Sequence, residues 1–94
     1  MAPLKFTRIP NALIEALTLR TLSAYQYRVI LCLARHTFGY HRHSWRVSTA
    51  ALARIVGIPR ASVHKTLKQL VESGCIGSNE HGAWHINPPE KWRT

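Results

Sequence analysis

The sequence predicts a mainly helical α+β domain, with about four helices and a small β-hairpin, on two observations. Two helix-forming stretches, STAALARIV and RASVHKTLKQLVES, are joined by a short turn that contains Gly57 and Pro59. A polar turn and an alternating stretch, residues 83–87, follow the second helix. The composition is strongly basic, with 13 Lys and Arg against 4 Asp and Glu, which bears on the partner and not on the fold. The order helix, turn, helix and hairpin predicts a winged helix-turn-helix.

The charge distribution indicates the class of partner. The formal net charge is +9 over 94 residues, and such a surface attracts and concentrates polyanions. The sequence has no Asp or Glu between Glu15 and Glu72, the stretch that contains both helices of the predicted motif. Double-stranded DNA is therefore the expected partner.

The length bounds the chain to one domain with a single core. We expect residues 1–87 to form the winged-helix DNA-binding domain and residues 88–94 to form a proline-broken, extended tail. In that tail, Trp92 either docks on the core or stays available to a partner. No signal peptide and no apolar run of about 18 residues is present, so we expect no membrane association.

The first elements are predicted from caps and periodicity. Asn11 is expected to cap a short first helix, and Ser23 with Gln26 forms a capping box for a second helix that ends near His36. Residues 37–44 contain Gly39 and many polar groups, which indicates a loop. Residues 45–47 are predicted to form a short strand that pairs with the hairpin.

The next two helices form the predicted motif. Ser48 caps the third helix, and Gly57 supplies a left-handed residue at its end. Gly74 is expected to end the fourth helix in the same way. The residues expected to pack inward are Leu52, Ile55 and Val56 in the third helix and Val63, Leu67, Leu70 and Val71 in the fourth.

The opposite face of the fourth helix carries the candidate base-reading residues, Arg60, Ser62, His64 and Lys65. Arg and Lys donate well to guanine O6 and N7 in the major groove. The alternative is a solvated basic face on an ordinary packed helix. The hairpin, the preceding capped helix and the net charge together favour DNA binding.

Other residues are candidates for phosphate contacts. The start of the third helix, at Thr49, presents free backbone N–H groups that commonly hold phosphate. Arg54 and Lys68 are expected to bind phosphate. His81 lies at the predicted tip of the wing, where the alternatives are contact with a minor groove, contact with the DNA backbone, or no role. Arg42 and Arg46 flank the motif as weaker candidates.

The segments FTRIPN (residues 6–11) and HTFGY (residues 36–40), in this order and with the helix-turn-helix behind them, resemble the N-terminal domain of phage replication protein O. The resemblance covers about residues 6–76. It implies a winged helix that binds repeated sites in a phage replication origin, in the cytoplasm of a bacterial host and associated with its nucleoid. It also implies homodimers on paired half-sites.

Two features depart from that family. Its separate helicase-recruiting half is expected to be absent, because the sequence stops at Thr94. Pro59 stands where such helices usually begin with a Ser or Thr cap, so the side-chain cap is lost. Two other functions stay open: a transcriptional repressor with the same surface, and a small phage protein that binds host or antiviral machinery through its winged helix.

Catalytic and metal sites have little support. The four carboxylates lie on separate elements, and the sequence has no Gly-rich phosphate loop or nucleophile elbow, so we expect no enzyme. His41 with His43, and His81 with His85, are spaced like ligand pairs, but no Cys-x2-Cys or His-Glu-x-x-His is present. We therefore expect no metal and no cofactor.

The histidines and cysteines have simpler expected roles. Histidine gains positive charge below about pH 6.5, which predicts tighter DNA binding in mild acid. Cys32 and Cys75 are too few to staple a secreted fold and are expected to stay reduced.

Overall fold

The computed structural model describes residues 6–93. Its helices and strands, in chain order, are α1 (Asn11–Leu19), α2 (Ala24–Thr37), β1 (Trp45–Arg46), α3 (Thr49–Val56), α4 (Arg60–Glu72), β2 (Ile76–Ser78) and β3 (Ala83–Ile86). The predicted α+β, mainly helical fold is confirmed. Within residues 6–93, no helix is both long enough and apolar enough to cross a bilayer.

Local side-chain caps fix the starts of α2 and α3. Ser23 Oγ accepts from the Gln26 backbone N–H at 3.1 Å, and Gln26 Oε1 accepts from the Ser23 N–H at 2.8 Å. The predicted capping box is therefore confirmed. Ser48 Oγ accepts from the Ala51 N–H at 3.1 Å, which confirms the cap of α3.

The predicted cap of α1 was wrong by one position. Asn11 is the first helical residue, and Pro10 is the N-cap without a side-chain hydrogen bond. The proline ring fixes φ, here at −55° with ψ at 137°, and its carbonyl oxygen accepts from the N–H groups of Leu13 and Ile14. The backbone of the proline thus starts the helix.

The sheet is antiparallel, with β3 between β1 and β2. Trp45 pairs with Trp84, and Ile76 pairs with Ile86. Because β1 precedes α3, its pairing with β3 ties the hairpin to the body of the domain. Residues 37–44, which were expected to form a loop, are partly ordered into a 3-10 turn at residues 38–40, after which His41 takes φ 56°.

The core confirms most predicted inward residues and corrects two. Ile55 is 52% exposed and Val71 is 44% exposed, so both predictions of inward packing were wrong. Ala53 and Thr66 are buried instead. Each exposed residue lies about 90° or more from the centre of its helix's buried stripe, whereas Thr66 lies closer to that centre than Val71 does.

The tail is not extended as expected. Residues 89–91 form a 3-10 turn, and Trp92 is only 6% exposed. The Trp92 Nε1–H donates to the Asn87 carbonyl oxygen at 2.9 Å, and the Arg93 N–H donates to the Ser73 carbonyl oxygen at 2.7 Å. The guanidinium of Arg20 lies 5.4 Å from the centre of the Trp92 ring. Trp92 therefore docks on the core and is not free for a partner.

Candidate nucleic-acid interface

The turn between α3 and α4 is fixed by backbone hydrogen bonds and one buried side chain. Gly57 takes φ 80°, and the N–H groups of Gly57 and Ile58 both donate to the Ala53 carbonyl oxygen, at 2.8 and 3.2 Å. Ile58 is 6% exposed and anchors the turn in the core. The guanidinium of Arg28, from α2, donates to the Val56 carbonyl oxygen. Sequence reasoning missed the role of Arg28, because no local pattern links residues 28 positions apart.

Helix α4 has one buried and one cationic face. Its buried residues are Val63, Thr66, Leu67 and Leu70. Among the predicted base-reading residues, Arg60, His64 and Lys65 are exposed, and so is the predicted phosphate ligand Lys68. Ser62 is half-buried and lies about one helical turn before the buried Thr66. It is thus the least accessible of the predicted base-reading residues.

The start of α3 and the first turns of α4 form one continuous surface. Thr49, Arg60, Ala61 and His64 line the same shallow depression. Ala61 is exposed on the face of α4 opposite the apolar stripe, where the helical periodicity of the sequence places it. Arg54 is exposed in the last turn of α3, at the opposite end of that helix from Thr49. The structure therefore groups Thr49 with Arg60 and His64, and leaves Arg54 outside that depression.

The first turn of α3 presents backbone donors beside this depression. An α-helix has no intrahelical acceptors for its first N–H groups. The Ser48 hydroxyl accepts from the Ala51 N–H, which leaves the N–H groups of Thr49 and Ala50 available. Pro59 is the N-cap of α4 and makes no side-chain cap, as the sequence predicted. Oriented N–H groups at helix starts favour negatively charged ligands.

The cations of this surface are not neutralised by carboxylates. Among residues 6–93, the one salt bridge joins His81 Nε2 to Glu80 Oε1, at 3.6 Å. The Lys and Arg side chains of α3 and α4 are therefore not paired with carboxylates, and they are available to an anionic ligand. Glu72 stands at the last position of α4, so the cationic face ends there.

The tip of the hairpin is held by one asparagine. Asn79 Oδ1 accepts from the N–H groups of His81 and Ala83, at 2.8 and 3.0 Å. Gly82 takes φ 77° in this turn. The side chain of His81 is 65% exposed but lies against Glu80. The neighbouring carboxylate, which sequence reasoning did not weigh, opposes the approach of a phosphate to His81.

The structure pairs the histidines differently from the pairs that their sequence spacing suggested. His43 from the loop before β1 stacks on His85 of β3, with ring centres 5.3 Å apart. His85 Nε2 lies 3.0 Å from Asn87 Oδ1. Among residues 6–93, no three or more His, Cys, Asp or Glu side chains are grouped as a metal site would require.

Both cysteines carry free thiols. Burial of Cys32 in α2 raises the pKa of its thiol above the ordinary value, because desolvation disfavours the thiolate. Cys75 is 1% exposed, and the Ser73 hydroxyl donates to its sulfur at 3.2 Å. Neither thiol lies in the cationic surface formed by α3 and α4.

Comparison with known proteins gives one family. The model of the bacteriophage replication protein O family matches residues 4–89, which is most of the 94-residue chain. The match includes α1 to α4, all three strands and the first residue of the last 3-10 turn. No curated protein and no solved structure gives a significant match.

Proposed function

The chain belongs to the bacteriophage replication protein O family, and on this premise we propose that it binds double-stranded DNA sequence-specifically, as the winged-helix, origin-binding domain of a phage replication initiator. In this proposal α4 enters the major groove, α3 contacts the flanking phosphates and the β2–β3 hairpin lies along the backbone as the wing. This docking matches the general geometry of helix-turn-helix proteins.

One observation carries the proposal: the exposed cations on α4 have no carboxylate partner among the described residues. These cations are therefore not paired with carboxylates within residues 6–93. They contribute to the formal net charge of +9 on the chain. Neutralising phosphates with Lys and Arg releases counterions, which supplies essentially all of the non-specific affinity for DNA and a large share of the specific affinity. The proposal rests on this cationic face together with the family.

The residues have distinct roles in this proposal. Arg60, Ser62, His64 and Lys65 read base edges, with Ser62 contributing least because it is partly buried. The backbone N–H of Thr49 and the side chains of Arg54 and Lys68 anchor phosphates. At the wing, His81 contributes less to backbone binding than these residues, because the Glu80 carboxylate lies beside it. A good bidentate base contact contributes about 1 to 3 kcal/mol of discrimination.

The test is selection of a random duplex library at about 0.15 M salt, where nonspecific binding is weak. Three proteins are compared: the unmodified chain, Lys65→Ala/Lys68→Ala on α4, and the charge-matched control Arg8→Ala/Lys91→Ala. Arg8 and Lys91 are exposed and lie outside α3, α4 and the hairpin. We expect an enriched motif with the unmodified chain and the control, and its loss with the α4 variant.

The selected motif also distinguishes related functions. A site that repeats within or beside a replication gene supports origin binding, whereas a site that overlaps a promoter indicates a repressor. A palindromic motif indicates a dimer on paired half-sites. No enrichment, or equal loss in both double variants, would refute sequence-specific binding by α4.

A further inference from the structure

An apolar strip lies on the side of the domain away from α4. It is centred on three side chains from three helices, Ile14 of α1, Leu31 of α2 and Ile55 of α3, which we call the Leu31 strip. They are 47%, 53% and 52% exposed. Single exposed apolar residues are common, but a contiguous group usually marks an interaction surface.

The three residues are contiguous because Leu31 lines two depressions. One depression lies between α1 and α2, and Ile14 lines it together with Leu31. The other lies between α2 and α3, and Ile55 lines it together with Leu31. The strip is therefore a pair of adjoining concave surfaces with a leucine between them, which is the shape that receives the apolar side chains of a helix.

The strip faces away from the proposed DNA surface. Helix α2 packs on α4 through its buried side, which includes Leu33. Leu31 precedes Leu33 by two positions, which places it about 200° around the helix from it. A ligand centred on Leu31 therefore does not cover the exposed face of α4. This inference goes beyond the proposed function and does not depend on it.

The electrostatics of the strip are one-sided. Arg28 and Arg35 line the depression between α2 and α3, and no residue that lines either depression is acidic. Within residues 6–93 neither arginine is paired with a carboxylate. Arg28 is exposed, whereas Arg35 is half-buried, with its Nη1 atom turned inward near Gly39 and its guanidinium 5.0 Å from the centre of the Tyr40 ring. Apolar pockets flanked by unneutralised guanidinium groups complement an apolar stripe flanked by carboxylates.

We propose that the Leu31 strip binds an acidic amphipathic helix of another protein. The helix inserts apolar side chains at positions i, i+3 or i+4, and i+7 into the two depressions, and its Glu or Asp side chains contact Arg28 and the exposed part of Arg35. A second copy of this chain fits the strip poorly. A two-fold contact would bring Arg28 and Arg35 of both copies around one apolar centre, with no acidic lining residue to compensate.

The test uses a displayed library of helical peptides with Leu fixed at i, i+4 and i+7 and all other positions random. The library is first depleted on the variant Leu31→Gln/Ile55→Gln, so that peptides bound elsewhere, including at the cationic α4, are removed. It is then selected on the unmodified chain. Both substitutions are at exposed positions and should leave the fold intact, which thermal unfolding checks.

We expect enrichment of Asp and Glu beside the fixed leucines. One enriched peptide, labelled with a fluorophore, should bind the unmodified chain at least tenfold more tightly than Leu31→Gln/Ile55→Gln. The matched control is Leu19→Gln, which removes an 86% exposed leucine from the end of α1. It should bind like the unmodified chain, and duplex DNA selection should be unchanged in all three proteins.

Several results would overturn the inference. These are no enrichment, enrichment of Lys and Arg, or equal peptide binding by the double variant. Dimerisation in sedimentation velocity that Leu31→Gln/Ile55→Gln abolishes would assign the strip to a second copy. Binding to vesicles of anionic phosphatidylglycerol that the same variant abolishes would assign it to a membrane surface. A failed DNA selection with successful peptide selection would refute the proposed function alone.

Discussion

The guanidinium of Arg28, in α2, donates a hydrogen bond from Nη2 to the carbonyl oxygen of Val56, the last residue of α3. The last carbonyl groups of a helix have no intrahelical donors and carry partial negative charge. The contact therefore satisfies the end of α3 at the point where the chain turns toward α4. A residue outside α3 and α4 thus supports the turn between them.

Replacing Arg28 should loosen this turn. Arg28→Ala is expected to lower the free energy of unfolding by about 1 kcal/mol, since the hydrogen bond is charged but solvent-exposed. Urea denaturation measures this change, and hydrogen exchange of the Gly57 and Ile58 amides should become faster. The control Lys68→Ala, at an exposed site of α4, should stay within about 0.5 kcal/mol. Equal effects of both substitutions would contradict the role of Arg28.

Thr49 allows a test of the backbone N–H separately from its side chain. Proline is tolerated at the first helical position, and Ser48, at φ −76° and ψ 156°, already has the extended conformation that a following proline requires. Thr49→Pro should leave α3 formed but remove the N–H that is proposed to hold phosphate. We expect DNA affinity to fall about tenfold, the usual scale for a charge-assisted hydrogen bond.

The matched control is Thr49→Ala, which removes the hydroxyl and keeps the N–H. Its DNA affinity should stay close to that of the unmodified chain in fluorescence anisotropy titrations at fixed salt. If the alanine variant loses as much affinity as the proline variant, the side chain and not the backbone makes the contact.

Lys68 and Arg60 should differ in the way they affect DNA binding. Loss of a phosphate contact weakens all sequences alike, so Lys68→Ala should lower the slope of log affinity against log salt by about 1. Loss of a base contact relaxes specificity at one position, at a cost of about 1 to 3 kcal/mol. Arg60→Ala should therefore flatten one position of the selected motif. The reverse assignment follows if Lys68→Ala changes the motif.

Gly74 and Gly82 share a left-handed backbone conformation but differ in packing, so substitutions at the two positions separate the two effects. Gly74 and Gly82 take φ 80° and 77°, but a Cβ on Gly74 would lie 2.5 Å from the Lys91 carbonyl oxygen, whereas a Cβ on Gly82 meets nothing within 4 Å. Gly82→Ala should cost about 1 to 2 kcal/mol from the left-handed conformation alone. Gly74→Ala should cost about 1 to 3 kcal/mol more, because the docked tail must shift. Similar losses in urea denaturation would mean that the tail does not press on Gly74.

The Cys32 thiol should react slowly at neutral pH. Alkylation proceeds through the thiolate, and burial raises the pKa of this thiol, so the thiolate fraction is smaller than that of an exposed cysteine. We expect iodoacetamide to modify native Cys32 more slowly than the unfolded chain at the same pH, with a rate that rises as the pH increases. A Cys75→Ser variant isolates the Cys32 signal in mass spectrometry. Equal rates for the native and unfolded chains would contradict this prediction.

Features encoded within one helical turn were predictable from the sequence. The capping box of Ser23 and Gln26, the Ser48 cap and the left-handed Gly57 all depend on contacts between residues three or four positions apart. Such contacts need only the correct residue types at a fixed spacing. The order of the elements and the net charge were also readable from the sequence. The helical period then placed the cationic residues of α4 on the face opposite its apolar stripe.

Tertiary packing decided what spacing alone did not specify. The exposure of Ile55 and Val71 depends on how each helix is rotated against its neighbours, and the helical period allows more than one inward stripe. Trp92 docks because the Asn87 and Ser73 carbonyl oxygens and the Arg20 guanidinium meet around the tail. Arg28 at Val56 and the Leu31 strip likewise join residues from different helices. These contacts form only when distant segments pack together, so the sequence determined the local elements and the tertiary structure determined their shared surfaces.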